Sequence, residues 1–195
     1  MLALKCNLLK KVIALKHFEE NIGTENIYDG RILGVRRDKV RLEDGNESIR
    51  EVISHTGGAC IVAIDDEDNI LMVQQFRYPF GRVLTEIPAG KLEKGEAPRV
   101  CAVRELMEET GFEAGRVIYL GENLATPAYD EEVIHIFYGD RLKKGERHLD
   151  EGEFLDVYKI PFEEAVKKVL EGEIKDGKTS VGILKTKLLR DLGRI

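Results

Sequence analysis

The stretch from Gly90 to Phe112, GKLEKGEAPRVCAVRELMEETGF, constrains this chain more than any other. Pro98 suits the first turn of a helix, where no backbone donor is lost, and Gly111 suits a C-terminal cap. The pattern therefore predicts a helix from about Ala97 to Thr110. At about 100° per residue, Glu105, Glu108 and Glu109 share one arc, while Val100, Val103, Leu106 and Met107 fall on the opposite one. The expectation is a helix that buries its aliphatic side and presents three carboxylates on the other. Cys101 and Ala102 lie one turn earlier on the acidic arc and are small enough to leave room above it. Carboxylates at i, i+3 and i+4 repel by a few tenths of a kcal/mol per pair, and the adjacent Arg104 offsets part of that. A hard divalent cation would resolve the repulsion, since Mg²⁺ takes a few carboxylate oxygens and keeps room for phosphates. Acidic helix faces are usually just solvated, so the helix alone does not decide its use.

Around this stretch the chain reads as strands with a few helices. Arg31 to Val35, Lys39 to Glu43 and Ser48 to His55 read as strands, with Asp44-Gly45 as a hairpin turn. GACIVAI, Gly58 to Ile64, reads as a buried central strand, and Asp65 to Asn69 as a polar turn before a strand over Ile70 to Arg77. A loop follows Pro88-Ala89-Gly90. Further strands are predicted near Arg116 to Leu124, Val133 to Asp140 and Phe154 to Ile160, and helices over Phe162 to Glu171 and Thr179 to Asp191. This order predicts an α+β fold, with a sheet sandwich flanked by helices.

Composition narrows the function classes. At 195 residues, 43% hydrophobic and 34% charged, the chain is expected to be one globular domain with room for an extra arm. A net charge of −6 argues against a general nucleic-acid surface. It also poses a problem: an anionic substrate would have to be bound through local cations. No segment approaches the roughly 20 apolar residues of a membrane span, and the lysine-interrupted start, MLALKCNLLKKVIALK, lacks the pattern of a signal peptide. That start is expected to be an amphipathic helix or a frayed arm. Cys6, Cys60 and Cys101 show no metal-ligand spacing, so reduced thiols in a cytoplasmic protein are expected. His55 and His135 are lone histidines in strand patterns and read as structural.

The Gly90–Phe112 stretch resembles the Nudix box: Gly90, Glu96, Arg104, Glu105, Leu106, Glu108, Glu109, Gly111 and Phe112 fill its positions with none missing. Seven identities at roughly 7% usage each would match by chance on the order of once in 10⁸ starts. The resemblance implies a Nudix fold, an α/β/α sandwich with a mixed β-sheet. It also implies that Glu105 and Glu109 are the chief metal ligands, with Glu108 third and the Ala89 carbonyl fourth. Arg104 would orient these carboxylates, and Glu96 would brace the loop.

The segments REVISHTGG (from Arg50), QQFRYP (from Gln74) and EIPAGKLEKGE (from Glu86), Pro127 in TPAYDEE, and the tail LDEGEFLDVYKIPFEEAVKKVLEGEIKDGKT resemble ADP-ribose pyrophosphatases. That likeness implies cleavage of ADP-ribose to AMP and ribose 5-phosphate with two or three Mg²⁺ ions, Mn²⁺ being an alternative. It implies an N-terminal β-rich arm, residues 1–55, exchanged in a homodimer with a shared active site, and a hydrolase domain over 56–195. Arg77, Arg50, Tyr28 and Glu86 would bind substrate. The base would come from the loop Asp150-Glu151-Gly152-Glu153, with Glu151 first and Glu153 second. Two rivals remain: a Nudix hydrolase for another nucleoside diphosphate, such as a nucleotide sugar or an oxidised nucleotide, and a non-catalytic module that senses nucleotides.

Overall fold

The computed structural model describes residues 17–149 and 152–195. The expected N-terminal helix or arm before His17, with Cys6 in it, and the Asp150–Glu151 pair lie outside the described residues. By contact density the chain divides into two compact units, Met1–Val52 and Ile53–Ile195.

The first unit is a three-stranded sheet in the order β1 (Glu20–Asp29), β2 (Leu33–Arg41), β3 (Glu47–His55). The turn before β3 forms as expected: Gly45 has φ 86°, and Asn46 N–H donates to Asp44 Oδ1 at 2.9 Å. Two expectations fail. The segments predicted as strands over 31–35 and 39–43 are one continuous strand, and β1 before them carried no apolar alternation to announce it. Polar and charged side-chain pairs accompany the backbone ladder instead. Arg37 pairs with Glu25 and Arg41 with Glu20, while Asp38 accepts from Thr24 Oγ1 at 2.7 Å and from Arg36 Nε at 3.0 Å. Polar residues thus sit inside a strand that a hydrophobic pattern would interrupt.

The second unit is built on β4 (Gly58–Ala63), which is buried along its whole length. Its side chains alternate between two cores. Cys60 and Val62, with Ile64 just beyond the strand, join Ile136, Phe162 and Ile183; Ala59, Ile61 and Ala63 join Cys101, Ala102, Leu106 and Phe137. A strand apolar on both faces needs a layer on each side. Here α1 (Pro98–Thr110) covers one face and α3 (Gly177–Asp191) the other. The sheet order is β7 (Ala89–Lys91), β4, β9 (Val133–Lys144), β8 (Phe112–Leu124). β4 and β9 run parallel and the other pairs antiparallel, so the sheet is mixed and the layers form the expected α/β/α sandwich.

A second, antiparallel sheet orders β10 (Leu155–Pro161), β5 (Asn69–Arg77) and β6 (Arg82–Glu86), and α2 (Phe162–Leu170) packs beside α3. The short β6 and β7 were not anticipated; at five and three residues they offer too little alternation to read. Helix α3 approaches β4 closely through Gly182, where a Cβ would come within 3.0 Å of Val62 Cγ2. Among the described residues no helix is long and apolar enough to cross a membrane.

One turn further along α3, the hydroxyl of Thr186 is buried without a hydrogen-bond partner. An unpartnered buried hydroxyl costs about 1–3 kcal/mol, so Thr186→Val, of the same shape, is expected to raise stability by about 1 kcal/mol in chemical denaturation. A comparable loss of stability would mean that the hydroxyl is bonded.

Candidate active site

The geometry of α1 departs from the expectation that its aliphatic arc is the buried one. Cys101, Ala102, Leu106, Glu109 and Thr110 are buried, while Val100 is 57% exposed. The carboxylate arc and the buried arc overlap because α1 lies over β4 and β7, and the small Cys101 and Ala102 let the backbones approach. The helix ends as predicted: Gly111 adopts φ 72° and its N–H donates to Met107 O at 2.8 Å.

Glu109 is 2% exposed. Its Oε2 accepts from the backbone N–H of Ala89 at 3.0 Å, which ties the helix to β7. Burial pushes its pKa up to about 8; the Ala89 N–H opposes that, and the charges of Glu105 and Glu153 add to it. Burial also raises Glu105, against the pull of Arg104. Gly90 leaves room for the Glu105 carboxylate, which a Cβ there would push aside. Glu153 makes its charge felt at both Glu105 and Glu109, so this member of the expected acidic loop lies near them.

Arg104 is the hub of the helix. Nε and Nη2 reach Glu96 Oε1 and Oε2 at 2.9 and 3.0 Å, and Nη1 reaches both Glu105 Oε1 and Glu108 Oε2 at 2.8 Å. Glu96 Oε2 also accepts from Glu93 N–H at 3.0 Å, closing the loop before α1. The Arg104 guanidinium first, and that N–H after it, hold Glu96 at about 2 against the desolvation of its charge. Among the described residues no three His, Cys, Asp or Glu side chains converge as a ready-made metal cage. Glu105 and Glu108 are turned onto Arg104. The donor set still suits a hard cation: Glu105 and Glu109 are carboxylates that burial makes reluctant to carry charge, which a divalent ion would relieve.

Beside Glu109 lies a second cluster. Arg77, at the end of β5, grips Glu86, at the end of β6, with Nε–Oε1 and Nη2–Oε2 both at 2.7 Å. Glu86 is 1% exposed, and its Oε2 also accepts from Lys178 Nζ at 2.5 Å. Burial alone would raise Glu86, but Arg77 and Lys178 outweigh it and hold the carboxyl at about 2. Both oxygens of Glu86, read from the sequence as a substrate contact, are thus engaged by protein cations. Arg77 and Lys178 also act electrostatically on Glu109. Tyr28 and Arg50 belong to the first unit. Tyr28 is exposed, and Arg50 pairs with Glu19, with Nε–Oε2 at 2.8 Å.

Comparison with known proteins identifies the family. The sequence pattern of the NUDIX domain matches residues 54–180. The chain belongs to the Nudix family. Residues 19–53 match the nucleoside diphosphate sugar hydrolase N-terminal domain. The chain is 42% identical over 171 residues to the methanol dehydrogenase activator of Bacillus methanolicus, covering 86% of this chain and 92% of that protein. It is 40% identical over 167 residues to the ADP-ribose pyrophosphatase of Bacillus subtilis, covering 85% and 90%. A crystal structure of an ADP compounds hydrolase superposes with a TM-score of 0.79 at 20% identity, over 91% of this chain and 97% of that one, which speaks for the Nudix fold.

Lys178 escaped the sequence reading, although a signal was present. It follows Asp176, an N-cap, so it sits in the first turn of a helix, where the macrodipole disfavours a cation. A lysine there needs an anion, and Glu86 and Asp176 supply two, at 2.5 and 3.0 Å.

A pH dependence follows from Glu86. Its folded pKa, about 2, lies below the ordinary 4.5. Its contribution to stability is therefore full above about pH 4.5 and is lost as pH falls toward 2, by roughly 3 kcal/mol. Denaturation midpoints should fall over that window in the wild type. Glu86→Gln is expected to lower stability near pH 7 and to flatten that acid limb; an unchanged limb would remove Glu86 as its source.

Proposed function

We propose that this Nudix protein hydrolyses the diphosphate bond of ADP-ribose, giving AMP and ribose 5-phosphate, with Mg²⁺ or Mn²⁺ as its metal. The observation that carries the chemistry is the pair Glu105 and Glu109 on one helix face, Glu109 buried and Glu105 half-buried, with the Arg77 cation acting on Glu109. The ADP-ribose pyrophosphatase aligned over most of both chains supports the substrate. The match of residues 19–53 to a nucleoside diphosphate sugar hydrolase domain favours nucleotide sugars as the second reading.

The ions, two or three on this reading, would be held by Glu105 and Glu109, with Glu108 and the Ala89 carbonyl. When bound, they neutralise charge on the phosphate oxygens and make water more acidic. The chain's own groups set the stage. Arg104 fixes Glu105 and Glu108, and Ala89 N–H fixes one oxygen of Glu109. Arg77 has two of its five N–H groups on Glu86, and the others can meet a diphosphate oxygen. Glu151, or failing that Glu153 two positions on in the sequence, would take the proton from the attacking water as the P–O bond breaks. On this reading residues 1–55 form an arm and residues 56–195 the hydrolase domain. Two copies form a cytoplasmic homodimer, in which Tyr28 and Arg50 of the arm reach substrate and share the site.

Chromatography of products after mixing the protein with ADP-ribose and Mg²⁺ tests the reaction. AMP and ribose 5-phosphate are expected from the wild type and not after EDTA. Glu109→Gln is expected to lose activity at least about a hundredfold. Retained turnover in Glu109→Gln at saturating Mg²⁺ would dismiss the ligand assignment; release of sugar phosphates from nucleotide sugars alone would move the substrate to the second reading.

Because the Glu109 carboxyl is raised to about 8, it is largely protonated at pH 7 without a ligand. Binding Mg²⁺ should then release close to one proton per site near pH 7, seen in calorimetry as an enthalpy that changes with the ionisation heat of the buffer. Glu109→Gln should abolish that dependence.

A further inference from the structure

We propose that Lys178 is a positioning residue for diphosphate binding, holding Glu86 and through it aiming Arg77 at the substrate; this rests on the diphosphatase reading above. The four charged groups Arg77, Glu86, Lys178 and Asp176 alternate in sign along one chain of contacts. Its outer end, the Arg77 side chain, is 38% exposed, whereas Lys178 is 11% exposed. A ligand can therefore meet Arg77 directly, and Lys178 acts on it from behind.

The geometry explains what a second cation adds. A side-on pair makes the guanidinium follow the plane of its carboxylate. The terminal torsion of a glutamate is soft, so that plane is poorly fixed by the side chain itself. Glu86 Oε2 accepts from Arg77 Nη2 at 2.7 Å and from Lys178 Nζ at 2.5 Å, and this shared corner fixes the plane. Lys178 is itself anchored. It pairs with Asp176 at 3.0 Å, and Asp176 accepts from Thr179 N–H at 3.0 Å and Oγ1–H at 2.6 Å. Thr179 Oγ1 then accepts from Ile87 N–H at 2.9 Å, next to Glu86 in sequence. The start of α3 and the end of β6 are thereby locked together, and Lys178 transmits that fixed geometry to Arg77.

The test is a coupling measurement in the full chain, using Lys178→Met, Arg77→Met and the double variant. The readouts are KM and kcat for ADP-ribose at saturating Mg²⁺, the dissociation constant of inorganic pyrophosphate by calorimetry, and the melting temperature. Lys178→Met is expected to raise KM and weaken pyrophosphate about tenfold or more, with kcat changed much less. In the Arg77→Met background the same substitution should add almost nothing. Should Lys178→Met fail to fold, Lys178→Gln, which keeps a donor toward Glu86, carries the same comparison with a smaller effect. Effects that multiply in the double variant, or a lowered melting temperature with KM and pyrophosphate affinity unchanged, would overturn the proposal and leave Lys178 a purely structural cap. If the wild type binds pyrophosphate without cleaving ADP-ribose, the substrate reading fails while the pyrophosphate series still decides the role of Lys178. A wild type that does neither overturns both.

Discussion

Burying a carboxylate costs several kcal/mol unless something answers its charge, and α1 buries Glu109 and half-buries Glu105 against the central sheet. Much of the second unit can be understood from that constraint. Small residues at Gly90, Cys101 and Ala102 make the close approach possible. Ala89 N–H points at Glu109 because β7 pairs with β4 and so runs beneath the helix. Arg104 lies at the partly exposed edge and gathers Glu96, Glu105 and Glu108, which leaves Glu109 with one backbone donor and a raised pKa. The carboxylate least answered by the protein is the one best placed to be answered by an added cation.

The parts of this arrangement that were legible in the sequence are local ones. Pro98, Gly111 and the glutamate spacing lie within a single loop and helix, and the run Gly58 to Ile64 announces a strand buried on both faces. The burial of Glu109 on the acidic arc was not legible, because a helical wheel ranks faces by hydropathy and would place a carboxylate in solvent. Val100 looked like core and lies in solvent. β1 was hidden for the opposite reason: a backbone ladder to β2 with polar and charged cross-strand partners holds it, and its sequence, ENIGTENIYD, resembles a loop. Arg77 and Glu86 could be named from flanking motifs, but their mutual grip depends on a β5–β6 hairpin whose second strand was too short to read.

Lys178 is the clearest case of a partner that sequence proximity cannot supply. It is separated from Glu86 by 92 positions, and the two meet because α3 packs on the far face of β4, with its N-terminus at the end of β6. Long-range charge pairs of this kind are set by topology. The layer order that makes β4 central also brings the first turn of α3 to the edge of the carboxylate site.

The net charge of −6 first looked like an obstacle to binding an anion. The distribution matters more than the sum. Arg77 and Lys178 share Glu86 between them, so a single buried carboxylate restrains two cations, and both act electrostatically on Glu109. Since Glu109 is raised to about 8, the site near neutral pH carries less negative charge than its glutamates suggest. Arg77 keeps its side chain partly exposed, where a diphosphate could meet it. The acidic surface elsewhere then acts at distances where salt screens it, beyond about 10 Å, while Arg77 acts at contact. The same separation of distances lets one chain be acidic overall and still bind an anion, provided that Arg77 is held in place, and the buried lysine behind Glu86 is what the fold provides to hold it.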